Sequence, residues 1–140
     1  MMREILFRGK RTANGVFVEG FLFLKQEGEE TLTCIGIDPL RDYPDGELAQ
    51  GCYFEVRPET IGQYTGLTDK NGTKIFEGDI CRVSRPCVLA YGKITFQNGC
   101  FWFVDDGPGG MLRLCDVKMN GFEVEVIGST HDNPELLEEN

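Results

Sequence analysis

The chain has 140 residues and a net charge of −9, from 14 basic and 23 acidic side chains, with 41% hydrophobic and 26% charged residues. That length suits a single domain-sized core, and the composition argues against a disordered, collagen-like or coiled-coil chain. The acidic balance argues against a generic nucleic-acid coat, no apolar run approaches the roughly 20 residues of a membrane-crossing helix, and the polar start Met1-Met2-Arg3-Glu4 has no apolar stretch behind it, so a chain that is not exported by a signal peptide is expected.

The chain carries 18 glycines and 6 prolines, so turns are frequent, and between them run short stretches rich in Val, Ile, Phe, Tyr and Thr. Their period of two marks strands, predicted near 4–8, 16–24, 31–37, 51–57, 61–67, 74–83, 87–97, 100–105, 112–118 and 122–128. Residues 27–30 and 105–110 read as loops, and 38–50 as a long excursion. Gly107-Pro108-Gly109-Gly110 lacks the following Lys or Ser/Thr and the helix of a phosphate-cradling loop, so it reads as a turn.

Two Asn-Gly pairs predict tight hairpins. At Asn71-Gly72 a two-residue turn would pair Asp69 with Lys74 and Leu67 with Phe76. At Asn98-Gly99 it would set Gln97 against Cys100 and Phe96 against Phe101, so that Ile94, Phe96, Phe101 and Phe103 share one face and Trp102 points to the other. At the end of the chain Asn133, Pro134 and Glu135 have the chemistry of an N-cap and first helical turn, and Leu136 and Leu137 would dock that short helix.

Side-chain chemistry is sparse. Cys34, Cys52, Cys81, Cys87, Cys100 and Cys115 form no C-x-x-C pair, so six reduced thiols, no metal and no cofactor are expected. His131 is the single histidine, and its setting before Asp132-Asn133-Pro134 suits a polar turn. Glu77 with Asp79, and Glu123 with Glu125, share strand faces at spacing two and read as solvated edges. By segment the charge is +3 over 1–25, −7 over 26–60, +2 over 61–100 and −7 over 101–140. Basic faces are therefore conceivable from Arg3, Arg8, Lys10 and Arg11, or from Lys70, Lys74, Arg82, Arg85 and Lys93. Trp102 and Tyr64, with Leu136 and Leu137, form the candidate interaction surface.

Three blocks carry a resemblance. Arg3-Glu4-Ile5-Leu6-Phe7-Arg8-Gly9-Lys10 with Gly15-Val16-Phe17-Val18-Glu19-Gly20, the long run Thr60 to Ile80 containing Gly62-Gln63-Tyr64-Thr65-Gly66-Leu67-Thr68-Asp69-Lys70-Asn71-Gly72 and Glu77-Gly78-Asp79-Ile80, and Val126-Ile127-Gly128 followed by Asp132-Asn133-Pro134-Glu135-Leu136-Leu137 resemble the YopX family of phage and prophage proteins. Phe17 stands where relatives often have tryptophan, and Ser129-Thr130-His131 departs from a more asparagine-like and aliphatic stretch. The resemblance implies a β-rich phage protein made in the bacterial cytoplasm, with no assigned catalytic residue. The middle block also looks like the opening of an SH3-like barrel, by fold-level analogy.

The sequence thus predicts an all-β chain: an N-terminal β lobe over 1–58, then an SH3-like small barrel over 59–140 with the short C-terminal helix. The expected role is that of a non-enzymatic protein-interaction module whose partners are itself, as a homo-oligomer, and a phage or host protein. The alternative is a nucleic-acid-binding small barrel.

Overall fold

The computed structural model describes residues 4–37, 53–105 and 110–137. The alternating stretches form eleven strands: β1 (Phe7–Lys10), β2 (Phe17–Glu27), β3 (Glu30–Gly36), β4 (Tyr53–Glu55), β5 (Gly62–Thr68), β6 (Lys74–Phe76), β7 (Asp79–Arg85), β8 (Val88–Gln97), β9 (Cys100–Asp105), β10 (Met111–Arg113) and β11 (Glu123–Ser129). All their ladders are antiparallel. Among the described residues one α-helix, α1 (Leu114–Met119), and two 3-10 turns, Pro58–Thr60 and Pro134–Leu137, complete the mainly-β fold. Two compact units divide it, residues 1–63 and 64–140.

In the first unit the strands lie in the order β4-β3-β2-β1, and Gly62 and Gln63 of β5 add to β1. Val18, Ile35, Ile37 and Val56 are buried together, with Phe7, Phe54 and Ile61 packed against them. The approach of β2 to β3 requires glycine at position 20, where a Cβ would fall 1.9 Å from the Gly36 carbonyl oxygen.

In the second unit five strands lie in the order β10-β9-β8-β7-β11, and β5 pairs with β6. The core gathers Ile75, Cys81, Val83, Ile94, Phe103, Leu114, Val117 and Val124. The β8–β9 hairpin has the predicted register, Gln97 opposite Cys100 and Phe96 opposite Phe101, and both turn residues take positive φ, Asn98 at 53° and Gly99 at 77°. Its apolar face fades outward: Ile94 and Phe103 are each 1% exposed, whereas Phe96 near the tip is 49% exposed.

Several expectations are corrected. The five-stranded sheet stays open with β10 and β11 as its outer strands, so the expected barrel closure is not formed. Residues 74–83 are not one strand, because Glu77-Gly78 turns the chain, with Gly78 at φ 92°. Residues 112–118 switch from strand to helix at Leu114: Leu114 and Val117, three apart, are both buried, and the helix stops where Asn120 N–H bonds the Asp116 carbonyl and Gly121 takes φ 81°. The C-terminal helix is a four-residue 3-10 turn rather than an α-helix. Asn133 does not turn its side chain into that helix; its Oδ1 accepts the Ser129 N–H at 3.3 Å, beside the bulge between Val126 and Gly128.

The Asn71-Gly72 turn is also different. Thr68, not Asp69, faces Lys74, and Tyr64, not Leu67, faces Phe76. Lys70-Asn71-Gly72 make a three-residue loop, with Gly72 N–H bonded to the Asp69 carbonyl at 3.0 Å and Gly72 alone in the loop at positive φ, 83°. Asp69 is drawn inward, 5% exposed, instead of pairing with Lys74. Its Oδ1 accepts the Asn71 and Thr73 amides, each at 2.9 Å, and its Oδ2 accepts the Val126 amide of β11 at 2.9 Å. Burial works against the charged form, but those amides and the Lys118 ammonium together outweigh it and hold the carboxyl below its ordinary range.

Two outcomes follow for stability. Gly99→Val forces a β-branched residue into the left-handed region and should cost more than about 1 kcal/mol, read as a fall in the thermal midpoint. Asp69→Ala leaves three amides without their acceptor and should cost about 3 kcal/mol at neutral pH. Because the folded carboxyl is more acidic than the unfolded one, its contribution is complete above the unfolded value of about 3.9 and is lost as pH falls through the folded value. The gap between wild type and Asp69→Ala in urea titrations should therefore narrow below about pH 4.

Candidate functional site

The candidate interaction residues occupy different settings. Trp102, opposite Thr95, lies on the face of the β8–β9 hairpin away from Ile94 and Phe103; it is half-buried, and its indole N–H donates to the Gln97 carbonyl at 2.8 Å. Tyr64 is half-buried against the Phe76 ring, 5.6 Å between centroids, with the Lys74 ammonium 5.8 Å from its own centroid. Leu136 and Leu137 are half-buried in the terminal 3-10 turn.

Two of the five cations in the basic set from Lys70 to Lys93 lie beside carboxylates. Antiparallel pairing of β7 with β11 sets Arg82 opposite Glu125, and Arg82 Nη2 meets Glu125 Oε1 at 2.7 Å. Lys70 lies 3.7 Å from Glu123 and 4.0 Å from Glu125. Arg85 stacks over the Phe122 ring at 4.8 Å, and Lys93 is exposed. Glu123 and Glu125 lie on the outer strand β11, as the solvated-edge reading has it, and there they also meet cations. Asp79, 1% exposed, accepts the Phe76 amide at 2.7 Å, and so belongs to the fold. In the first unit Arg8 and Lys10 both sit over Phe17, at 4.4 and 5.3 Å, and Arg11 sits over Phe54 at 3.9 Å. Arg3, Cys52 and residues 106–109 lie outside the described residues.

His131 is exposed beside Gly78. Among the described residues no three His, Cys, Asp or Glu side chains cluster as metal ligands, and no helix is long and apolar enough to cross a membrane. A cavity of about 180 Å³ in the second unit is lined by Thr65, Leu67, Cys100, Phe101, Arg113, Leu114 and Cys115. Arg113 turns to Asp116, 3.0 Å away, so this small chamber is chiefly apolar.

The surface that sequence reasoning missed is an arm of the first unit. Beyond Gly20, where β1 stops, β2 continues with β3 as its one described strand neighbour, from Phe21 opposite Gly36 to Glu27 opposite Glu30. Phe21 is 72% exposed and Leu24 68%, and Leu22 and Phe23 are each 37% exposed. Phe23 packs edge-on against Tyr53, 5.8 Å between centroids. The Lys25 ammonium donates to the Tyr53 hydroxyl, which raises its pKa. The signal was present in Phe21-Leu22-Phe23-Leu24: four consecutive apolar residues make both faces of a strand apolar, and only one face can serve the chain's own core.

The cysteines divide by accessibility. Cys34 and Cys81 are buried, and burial pushes the Cys34 thiol up; Cys87 and Cys115 are exposed and Cys100 is intermediate. Alkylation of the native protein followed by peptide mapping should label Cys87 and Cys115 first, and Cys34 and Cys81 only on unfolding. Rapid labelling of Cys34 in the native state would contradict this placement.

No curated protein matches the sequence. The chain is similar to protein EF1440 from Enterococcus faecalis, known from a crystal structure: the two are 28% identical and superpose with a TM-score of 0.62 over 97% of this chain and 99% of that one. The family described as YopX protein matches residues 7–138. With nearly its whole length matched and a mainly-β fold in place, the chain belongs to the YopX family.

Proposed function

We propose that this protein is a phage or prophage accessory protein of the bacterial cytoplasm that acts without catalysis of its own, by holding another protein chain. The observation that carries this reading is the exposed arm of β2 and β3. Large apolar side chains left in water on an open strand are costly and aggregation-prone, and a folded chain that retains them gains most by covering them with a partner. The kinship to YopX proteins supports the phage setting. Bait experiments in a lysate of a prophage-carrying bacterium test the reading: proteins retained by the wild type should be lost with Phe21→Asp/Leu24→Asp, whereas an unchanged set would overturn it.

A nucleic-acid reading rests on the basic and aromatic contacts around Phe17 and Phe54. It is the weaker one, because Lys70 and Arg82 already meet carboxylates and the whole chain carries −9. Labelled duplex DNA should show no binding by fluorescence anisotropy at physiological salt. Micromolar binding that weakens steeply with added salt would put nucleic acid first.

A further inference from the structure

We propose that the partner of the β2 edge is the same edge of a second copy, the two strands running antiparallel about a two-fold axis at Leu24. This rests on reading the arm as a docking surface, and it names the occupant. β2 has eleven residues, of which Phe17 to Gly20 pair with β1. The seven from Phe21 to Glu27 have no described strand on that side, so a strand added there would give partners to their outward N–H and C=O groups.

Length and chemistry make this row self-complementary. It is bounded at one end by β1, at Gly20, and at the other by the turn at Gly28, whose φ is 63°. Antiparallel pairing centred on Leu24 uses all seven residues of each copy: Leu24 meets Leu24, Phe23 meets Lys25, Leu22 meets Gln26 and Phe21 meets Glu27. Side chains paired in this way share a face.

On one face Lys25 would lie against the Phe23 ring of the other copy, extending the cation–aromatic contact that it already makes with Tyr53 at 4.8 Å. Glu27 stands 3.6 Å from Lys25 in the same chain, which tempers repulsion between the two lysines across the axis. The other face brings the two Leu24 side chains together. Pairing of identical edges is isologous and closes at two copies, so it consumes the edge without seeding a fibre.

Two measurements test the pairing. In sedimentation velocity across the micromolar range the wild type should be a dimer, and Leu24→Lys should shift it to monomer. Because Leu24 is 68% exposed in the single chain, that variant should keep the wild-type circular dichroism, while the wild-type thermal midpoint should rise with protein concentration and that of the variant should not. Leu24→Cys, mildly oxidised by diamide, should give a 24-to-24 disulfide-linked peptide by mass spectrometry. Thr31→Cys, exposed on β3 opposite Gln26, should give no 31-to-31 link.

A monomeric wild type, a dimer unchanged by Leu24→Lys, or absence of the 24-to-24 link would overturn the proposal. Loss of lysate partners with the arm variant despite a monomeric wild type would sink self-pairing while sparing the broader reading. Should Leu24→Lys unfold, the cross-link decides alone.

Discussion

Three main-chain amides converge on the Asp69 carboxylate, and the second unit is arranged around that convergence. Two come from the loop that Asp69 itself opens and one from β11, so a single side chain closes the β5–β6 turn and moors the last strand. The Lys70 amide adds a bond to the Val124 carbonyl at 2.9 Å, and the Lys118 ammonium, on α1, reaches the Thr68 carbonyl. A buried carboxylate is tolerated there because its lone pairs are filled.

The legible parts of the fold were those determined within a few residues. Asn98-Gly99 could be read because both positive-φ positions, and the alternation that fixes register, are contiguous in sequence. Asn71-Gly72 carries the same letters, yet the loop answers to an amide 57 positions away, which no local pattern reveals. The stretch after Met111 fits a strand by alternation and a helix by the spacing of Leu114 and Val117, and burial of both decided for the helix. Asn133 has cap chemistry, but the nearby bulge in β11 offered its side chain a closer donor.

The candidate site was less legible for a similar reason. Exposure is a property of what fails to pack, and Phe21 and Leu24 look no different from core residues until β1 ends four residues into β2. Charge sums along the chain also leave out what the strand pairing brings together. The excess of base over 61–100 is offset at Lys70 and Arg82, because β11, from an acidic segment, lies beside β7 and brings Glu123 and Glu125 to them.

The bond from Val126 to Asp69 also orders events during synthesis. Among the described residues the core of the first unit gathers none beyond Ile61, so it can assemble while the rest of the chain is still being made. The second unit has no such freedom. Until Val126 has left the ribosome Asp69 has two of its three amides, β7 lacks its outer neighbour, and Val124 is missing from the core. Contacts this distant along the chain form slowly. A nascent chain halted short of β11 therefore exposes β7 and an incomplete core, which makes it a substrate for chaperones and proteases rather than a smaller working protein.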